Sequence, residues 1–400
     1  MKENPAAIML ALDVATNRNS LKRGLVTRVL SNLHWVLTVA FLLALVPLFH
    51  RARLPLSIDL AEMAGAYWVG TGVRAVFCAV VLYLLCFPWA VTVAPVLRRL
   101  SESKFLLIEI VVFVGAMIWF FGVVLGLEVV IEGIALAELM ARRREMFGEA
   151  LADVAIPAAY LFVGIVVVFS FQHGIAGLKF AGEYDPFFEH LDRVIFHADV
   201  SQISHAALAF LPPWAARVLE FAYYSLFMQI GGALVITAIA GGRKQALHYV
   251  ATLLVGYYIA LVCFSLWPTI GPFSVCATHL SAYPTSLRTF TIQETILEKA
   301  RLLWQHNLVT GVRQVNLIDY YIGFPCMHVG LPLIAIWSLR KWRKMVVILM
   351  AFDLLLVTAI VALEWHYLVD LVGGVVVAVL AIQCNRRDDT GFASSGPNDY

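Results

Sequence analysis

Residues 345–384 read MVVILMAFDLLLVTAIVALEWHYLVDLVGGVVVAVLAIQC. Two apolar runs, 345–363 and 367–384, meet at a short polar mouth that holds Glu364 and His366. Each run has about the 18 to 20 residues that a helix needs to cross a bilayer. Similar runs fall at 30–49, 73–97, 105–138, 155–171, 215–240, 247–267 and 325–339. The chain has 400 residues, 61% of them hydrophobic and only 14% charged, with a mean hydropathy of +0.82. A soluble domain of this length carries far more charge. The expected class is therefore an all-α polytopic membrane protein, and the bilayer is its expected partner. The net charge of +2 and the shortness of every basic run exclude nucleic acid as a partner.

Lys and Arg in short loops set the orientation of such a bundle. ARRR (141–144), GGRK (241–244), RKWRK (340–344) and NRR (385–387) all read as cytoplasmic. The last six runs then alternate, and the mouths at Trp267, His328 and His366 open together on the extracytoplasmic side of a plasma or inner membrane. The expected organisation is N-terminal transmembrane helices without an assigned role (1–150), a bundle over 151–385 and a polar tail (386–400). Residues 1–28 are mixed and polar, so the first apolar run is expected to be retained rather than cleaved. The 105–138 run is either one tilted helix or two short ones broken near Gly122 and Gly126. The aromatic and charged stretch 183–208 predicts short helices in the interface. The segment 268–324 reads as a long loop that begins WPTIGP.

His366 and Asp370 stand four residues apart, which puts both side chains on one helical face. A carboxylate in that position orients an imidazole and stabilises its cation, the usual way to make a nucleophile of a weak base. A second histidine, His328, opens an earlier run in the string GFPCMHVG (323–330). At the same membrane depth it can supply or remove a proton.

GFPCMHVG followed by HYLVDLVGG resembles the second and third signature motifs of the type-2 phosphatidic acid phosphatase superfamily, and within it the branch that contains inositol phosphorylceramide synthase. The residues that carry the likeness are Phe324, Pro325 and His328, then His366, Tyr367, Asp370, Gly373 and Gly374. WPTIGP (267–272) and the acidic, aromatic stretch 183–199 are similar to segments of the same branch. The resemblance implies a six-helix catalytic bundle of the phosphatase kind with additional N-terminal transmembrane helices. It also implies a membrane enzyme that transfers a phosphate-containing head group to or from a lipid, inositolphosphotransferase-like. His366 would attack phosphorus and form a phosphohistidine, Asp370 would steady it, and His328 would act as acid and then base. Tyr367 would join the substrate-binding residues.

The chain departs from that pattern where the phosphate is held. Ala359 and Ile360 occupy places where the pattern has a serine and an arginine, and Cys326 and Met327 replace a Ser-Gly pair. Arg313, Arg288 and Arg301 are the candidate replacements, with Arg313 nearest the second motif. The backbone amides at the starts of the helices after Phe324 and Glu364 are another candidate.

Other readings remain open at this level. A lipid-phosphate or polyprenyl-diphosphate phosphatase would use the same residues, and a non-catalytic binding protein or transporter would keep the histidines for binding. His190, His197 and His205 lack the spacing of metal ligands. The proposed chemistry calls for no metal and no cofactor. The six cysteines form no CxxC pair. Cys78, Cys86 and Cys263 read as buried hydrophobes, and a Cys276–Cys326 disulfide is left open.

Overall fold

Every regular element among the described residues is helical. The structure is a computed structural model and describes residues 32–52, 54, 147–275, 287–306 and 322–385. Its helices are α1 (Leu33–Ala52), α2 (Phe147–Leu178), α3 (Asp185–Ile195), α4 (Val200–Phe210), α5 (Pro213–Tyr224), α6 (Leu226–Leu266), α7 (Arg288–His306), α8 (Met327–Ser338), α9 (Arg343–Ala362) and α10 (Leu368–Cys384), with a 3-10 turn at Pro272–Ser274. The readings of 73–97, 105–138, Cys276, Arg313 and the 386–400 tail fall outside the described residues.

Four helical stretches are long and apolar enough to cross a membrane: Leu33–Ala52, Ile156–Leu178, Gly241–Leu266 and Met345–Ala362. The chain is an integral membrane protein. The apolar run 215–240 is not one straight helix. It breaks at Ser225, and the two pieces meet at 47°. The Ser225 hydroxyl donates to the Ala222 carbonyl at 2.9 Å, a local bond that competes with the helical ladder. The next break, inside α6, is at Gly242, with φ 72° and ψ 178°. This is the GGRK loop of the sequence, reduced to one residue that a side chain would strain. Helices α8 and α10 are shorter, at 12 and 17 residues. The bundle over 151–385 is thus three full spans, one bent pair and two short apolar helices.

Helix α6 is central and packs on α2, α8, α10 and α1. Its buried face, including Leu253, Leu254, Tyr258 and Leu261, is the middle of one apolar cluster. A polar knot fastens α1 there. Tyr258 donates to Thr38 Oγ1 at 2.7 Å, Thr38 donates to the His34 carbonyl at 2.7 Å, and Tyr160 of α2 stands 3.2 Å from Thr38. With no water in a bilayer core, satisfying these groups inside the protein is the only economical arrangement. Helix α9 exposes Val347, Ile348, Leu354 and Leu355, as a lipid-facing span does.

The RKWRK turn and the ends of α8 and α10 gather at one end, beside the first turns of α6 after Gly242. Asn385 donates to the His248 carbonyl at 3.1 Å, His248 lies 5.7 Å from the Trp337 ring, and Arg340 stacks over Trp337. The histidine motifs occupy the opposite end, where a second apolar cluster includes Phe273, Cys326, Ile360 and Trp365. The predicted interfacial helices in 183–208 are α3 and α4. The predicted loop 268–324 needs a correction: it contains α7, a 19-residue helix. Gln293 of α7 donates to the Leu363 carbonyl at 2.7 Å, so α7 is held against the end of α9.

Candidate active site

His366 lies in the turn between α9 and α10 and is fully buried. The main chain there leaves α9 sharply. Trp365 N–H bonds back to the Ile360 carbonyl at 2.9 Å, and Glu364 takes φ 57°, a conformation rare outside glycine. The turn delivers the imidazole between two partners. Nδ1 faces Asp370 Oδ2 at 3.4 Å, and Nε2 faces His328 Nδ1 at 3.3 Å. The ring also hydrogen-bonds the Gly323 main chain. Burial, and then His328, hold the His366 imidazole well below its ordinary range, so it is neutral.

Asp370 is the third residue of α10 and is fully buried. Its Oδ2 also accepts the Tyr367 N–H at 2.9 Å, and its carbonyl accepts the Cys326 N–H at 3.0 Å. The start of α8 is thereby tied to the start of α10. Gly374 makes the approach possible, since a Cβ there would collide with the Cys326 carbonyl. A Cβ on Gly373 would meet Phe324 and Pro325. The glycine pair of the third motif is thus a packing device.

His328 is half-buried and is oriented by stacking. Its ring lies 4.5 Å from Tyr223 at 20°, and Tyr223 stacks on Trp365 at 4.3 Å and 4°. Tyr223 had no role in the sequence reading, since it sits in a helix 105 residues before His328 and shows no motif of its own.

The sequence also missed two carboxylates. Asp185 is buried and accepts the N–H groups of Ile270 and Gly271, both near 3 Å, and the Ser274 hydroxyl. It organises the WPTIGP turn. Gly271 adopts φ 132°, and a Cβ there would strike the Trp365 carbonyl, so the turn lies directly against the His366 strand of chain. Burial pushes the Asp185 carboxyl up to about 7 against the pull of its three donors. Asp192 accepts the Leu368 and Val369 N–H groups at 2.7 and 2.9 Å, capping α10 from another helix. Burial raises Asp192 as well, although these two bonds lower it. The signal was the spacing. Asp185, Phe188 and Asp192 fall on one face of a helix, all buried, and Phe188 packs 4.8 Å from Phe324.

This capping overturns one expectation. The amides at the start of α10 cannot hold phosphate, because Asp192 and Asp370 already accept them. No carboxylate among the described residues caps α8, whose first residues are Met327 and His328. Tyr367 is buried and lines a small cleft with Glu189, Asp192, Asp199, Val200, Ser201 and Pro272. Arg288 is exposed at the first turn of α7. Its neighbour Thr289 is bound to Glu220, N–H to Oε1 at 2.6 Å, one turn from Tyr223. Arg288 is therefore an exposed residue, whereas His366 is fully buried. Other cations have partners elsewhere: Arg193 binds Glu189 and Asp199, and Lys179 binds the Ser265 carbonyl. Cys326 is a free, fully buried cysteine. Its thiol lies with His328 and His366 in the group of side chains, among the described residues, that can hold a metal ion.

Residues 192–384 match the family model of the PAP2 superfamily. The matched stretch opens on Asp192 and contains both histidines and Asp370. No curated protein and no solved structure matches the chain.

Proposed function

We propose, from the support that this match gives to membership of the PAP2 superfamily of lipid phosphatases and phosphotransferases, that the protein transfers a phosphate-containing head group through a phosphohistidine on His366. One observation carries the reading: the buried His366 ring is held at Nδ1 by Asp370 and presents Nε2 to His328. Nε2 is the atom that would attack phosphorus. The bond from phosphorus to the leaving oxygen would break as His328 gives that oxygen a proton. An acceptor hydroxyl would then attack the phosphohistidine, lose its proton to His328 and release His366. Asp370 would stabilise the charge that His366 acquires.

The rings are closed on each other at 3.3 Å. A reacting nitrogen and phosphorus need about 3 Å between themselves, so a phosphoryl group requires the rings to part. His328, the half-buried partner, is the one we propose to move. The start of α8, which no carboxylate caps among the described residues, would offer its dipole beside that opening, and exposed Arg288, with Arg313, would draw an anionic head group. Because the basic turns lie at the opposite end, we place the site on the extracytoplasmic side of a plasma or inner membrane.

The synthase-like motif favours transfer to a lipid alcohol, inositol phosphate being the model group, over hydrolysis of a lipid phosphate or polyprenyl diphosphate. Incubation with a radiolabelled phospholipid should leave label on protein, lost in His366→Ala. Label moving to an added lipid alcohol supports transfer, and label released as free phosphate supports hydrolysis. No protein-bound label and neither product, with substrate still bound, would leave the non-catalytic reading standing.

A further inference from the structure

The family-like second motif carries a thiol where a serine stands in the pattern, and that thiol is beside the catalytic pair. Cys326 Sγ and ring nitrogens of His328 and His366 all lie within 4.8 Å of one another. The two nitrogens are 3.3 Å apart. On a tetrahedral zinc with bonds of about 2.05 Å, two nitrogens are also separated by roughly 3.3 Å. A soft thiolate with two imidazoles is the donor set that zinc-class ions favour. A second observation points the same way. Asp370 binds the far nitrogen of His366, which is how a carboxylate fixes a metal-ligating histidine. Its other oxygen, Oδ1, is buried with no hydrogen-bond partner.

We infer that Cys326, His328 and His366 bind one Zn²⁺ ion that switches the enzyme off. The ion enters past half-exposed His328, bonds to Cys326 Sγ and to the facing nitrogens of both rings, and leaves a fourth position for water. The thiol proton is released to solvent on binding, and no electrons move. The ion occupies His366 Nε2, so no phosphohistidine can form. It also holds closed the pair of rings that substrate must separate. Binding itself is independent of the proposed function. Only the inhibition rests on that reading.

Co²⁺, which takes zinc's geometry and reports its ligands by colour, tests the site in the full chain in lipid nanodiscs. The expected result is a thiolate-to-cobalt charge-transfer band that disappears in Cys326→Ser and in Cys326→Ala. The concentration of Zn²⁺ that halves turnover should rise at least tenfold in whichever variant retains turnover. Absence of the band in the unaltered protein overturns the inference, as does a band that persists in both variants. A band with no turnover on any lipid phosphate leaves the metal site standing and removes the proposed function instead.

Discussion

The starts of α8 and α10 lie side by side, each contributes to the histidine pair, and they are built in opposite ways. At α10 the first amides are taken by carboxylates: Leu368 and Val369 by Asp192, Tyr367 by Asp370. At α8 no carboxylate caps the helix among the described residues, and His328 is steadied by an aromatic stack on Tyr223. One end is immobilised by hydrogen bonds from two helices. The other is tied to it through the Cys326 N–H and the Asp370 carbonyl, and its histidine lies against a flat ring. The difference suits the division of labour proposed for them. A nucleophile gains from a fixed nitrogen, whereas a residue that serves as acid and then as base must follow a proton between two oxygens.

The strongest way to break that comparison is at its fixed side. His366→Ala should lower turnover by at least about 10³-fold, as loss of a nucleophile does, and should abolish label on the protein. A smaller loss measured on the same lipid would move the nucleophile elsewhere. Gly374→Ala should cost about 10²-fold, because its Cβ meets the Cys326 carbonyl and a displacement near 1 Å is worth roughly that much. The loss should fall on kcat, since the packing and not the rim is disturbed.

Uncapping sharpens the contrast further. Asp192→Ala removes two hydrogen bonds from α10 and should destabilise by about 1–2 kcal/mol, seen as a melting temperature lower by roughly 2–8 °C. Glu364, in the turn before His366, tests the same region by pH. Burial pushes its carboxyl from 4.5 up to about 7, more than the Ser204 hydrogen bond lowers it. The folded state therefore binds the proton more tightly than the unfolded chain. Its stability contribution is complete below about 4.5 and is lost as pH rises toward about 7. Glu364→Gln should flatten that slope, raising the melting temperature at pH 7 relative to the unaltered protein and not at pH 4.5. The smallest effect belongs to an exposed residue. Arg288→Ala should raise KM by about two- to fivefold with kcat unchanged, and the difference should shrink in high salt.

Several features were legible because they are local. The four-residue spacing of His366 and Asp370 predicted a helical face; the pair is in contact, although His366 stands in the turn ahead of α10 and not on the helix. Gly373 and Gly374 were readable as a packing device. The 215–240 run misled, because hydropathy does not register a serine that bonds its own helix at Ser225. The 268–324 segment misled in the opposite sense. Helix α7 is polar enough to pass for a loop and is kept in place by Glu220 and by the Leu363 carbonyl. The amides of α10 were available to phosphate until Asp192, 176 residues earlier, was seen to occupy them.

The amino-acid sequence alone determined the class: spans long enough for a bilayer, basic turns at one end, polar mouths at the other, and a histidine with its carboxylate one turn on. These follow from periodicity and hydropathy, which are properties of neighbouring residues. Only the tertiary structure decided that two rings 38 residues apart approach to 3.3 Å, that Tyr223 stacks on one of them, and that the Cys326 thiol lies within 4.8 Å of both. Such contacts depend on which helix faces are forced together when apolar surface leaves water or packs against lipid, and no short window of sequence contains that choice.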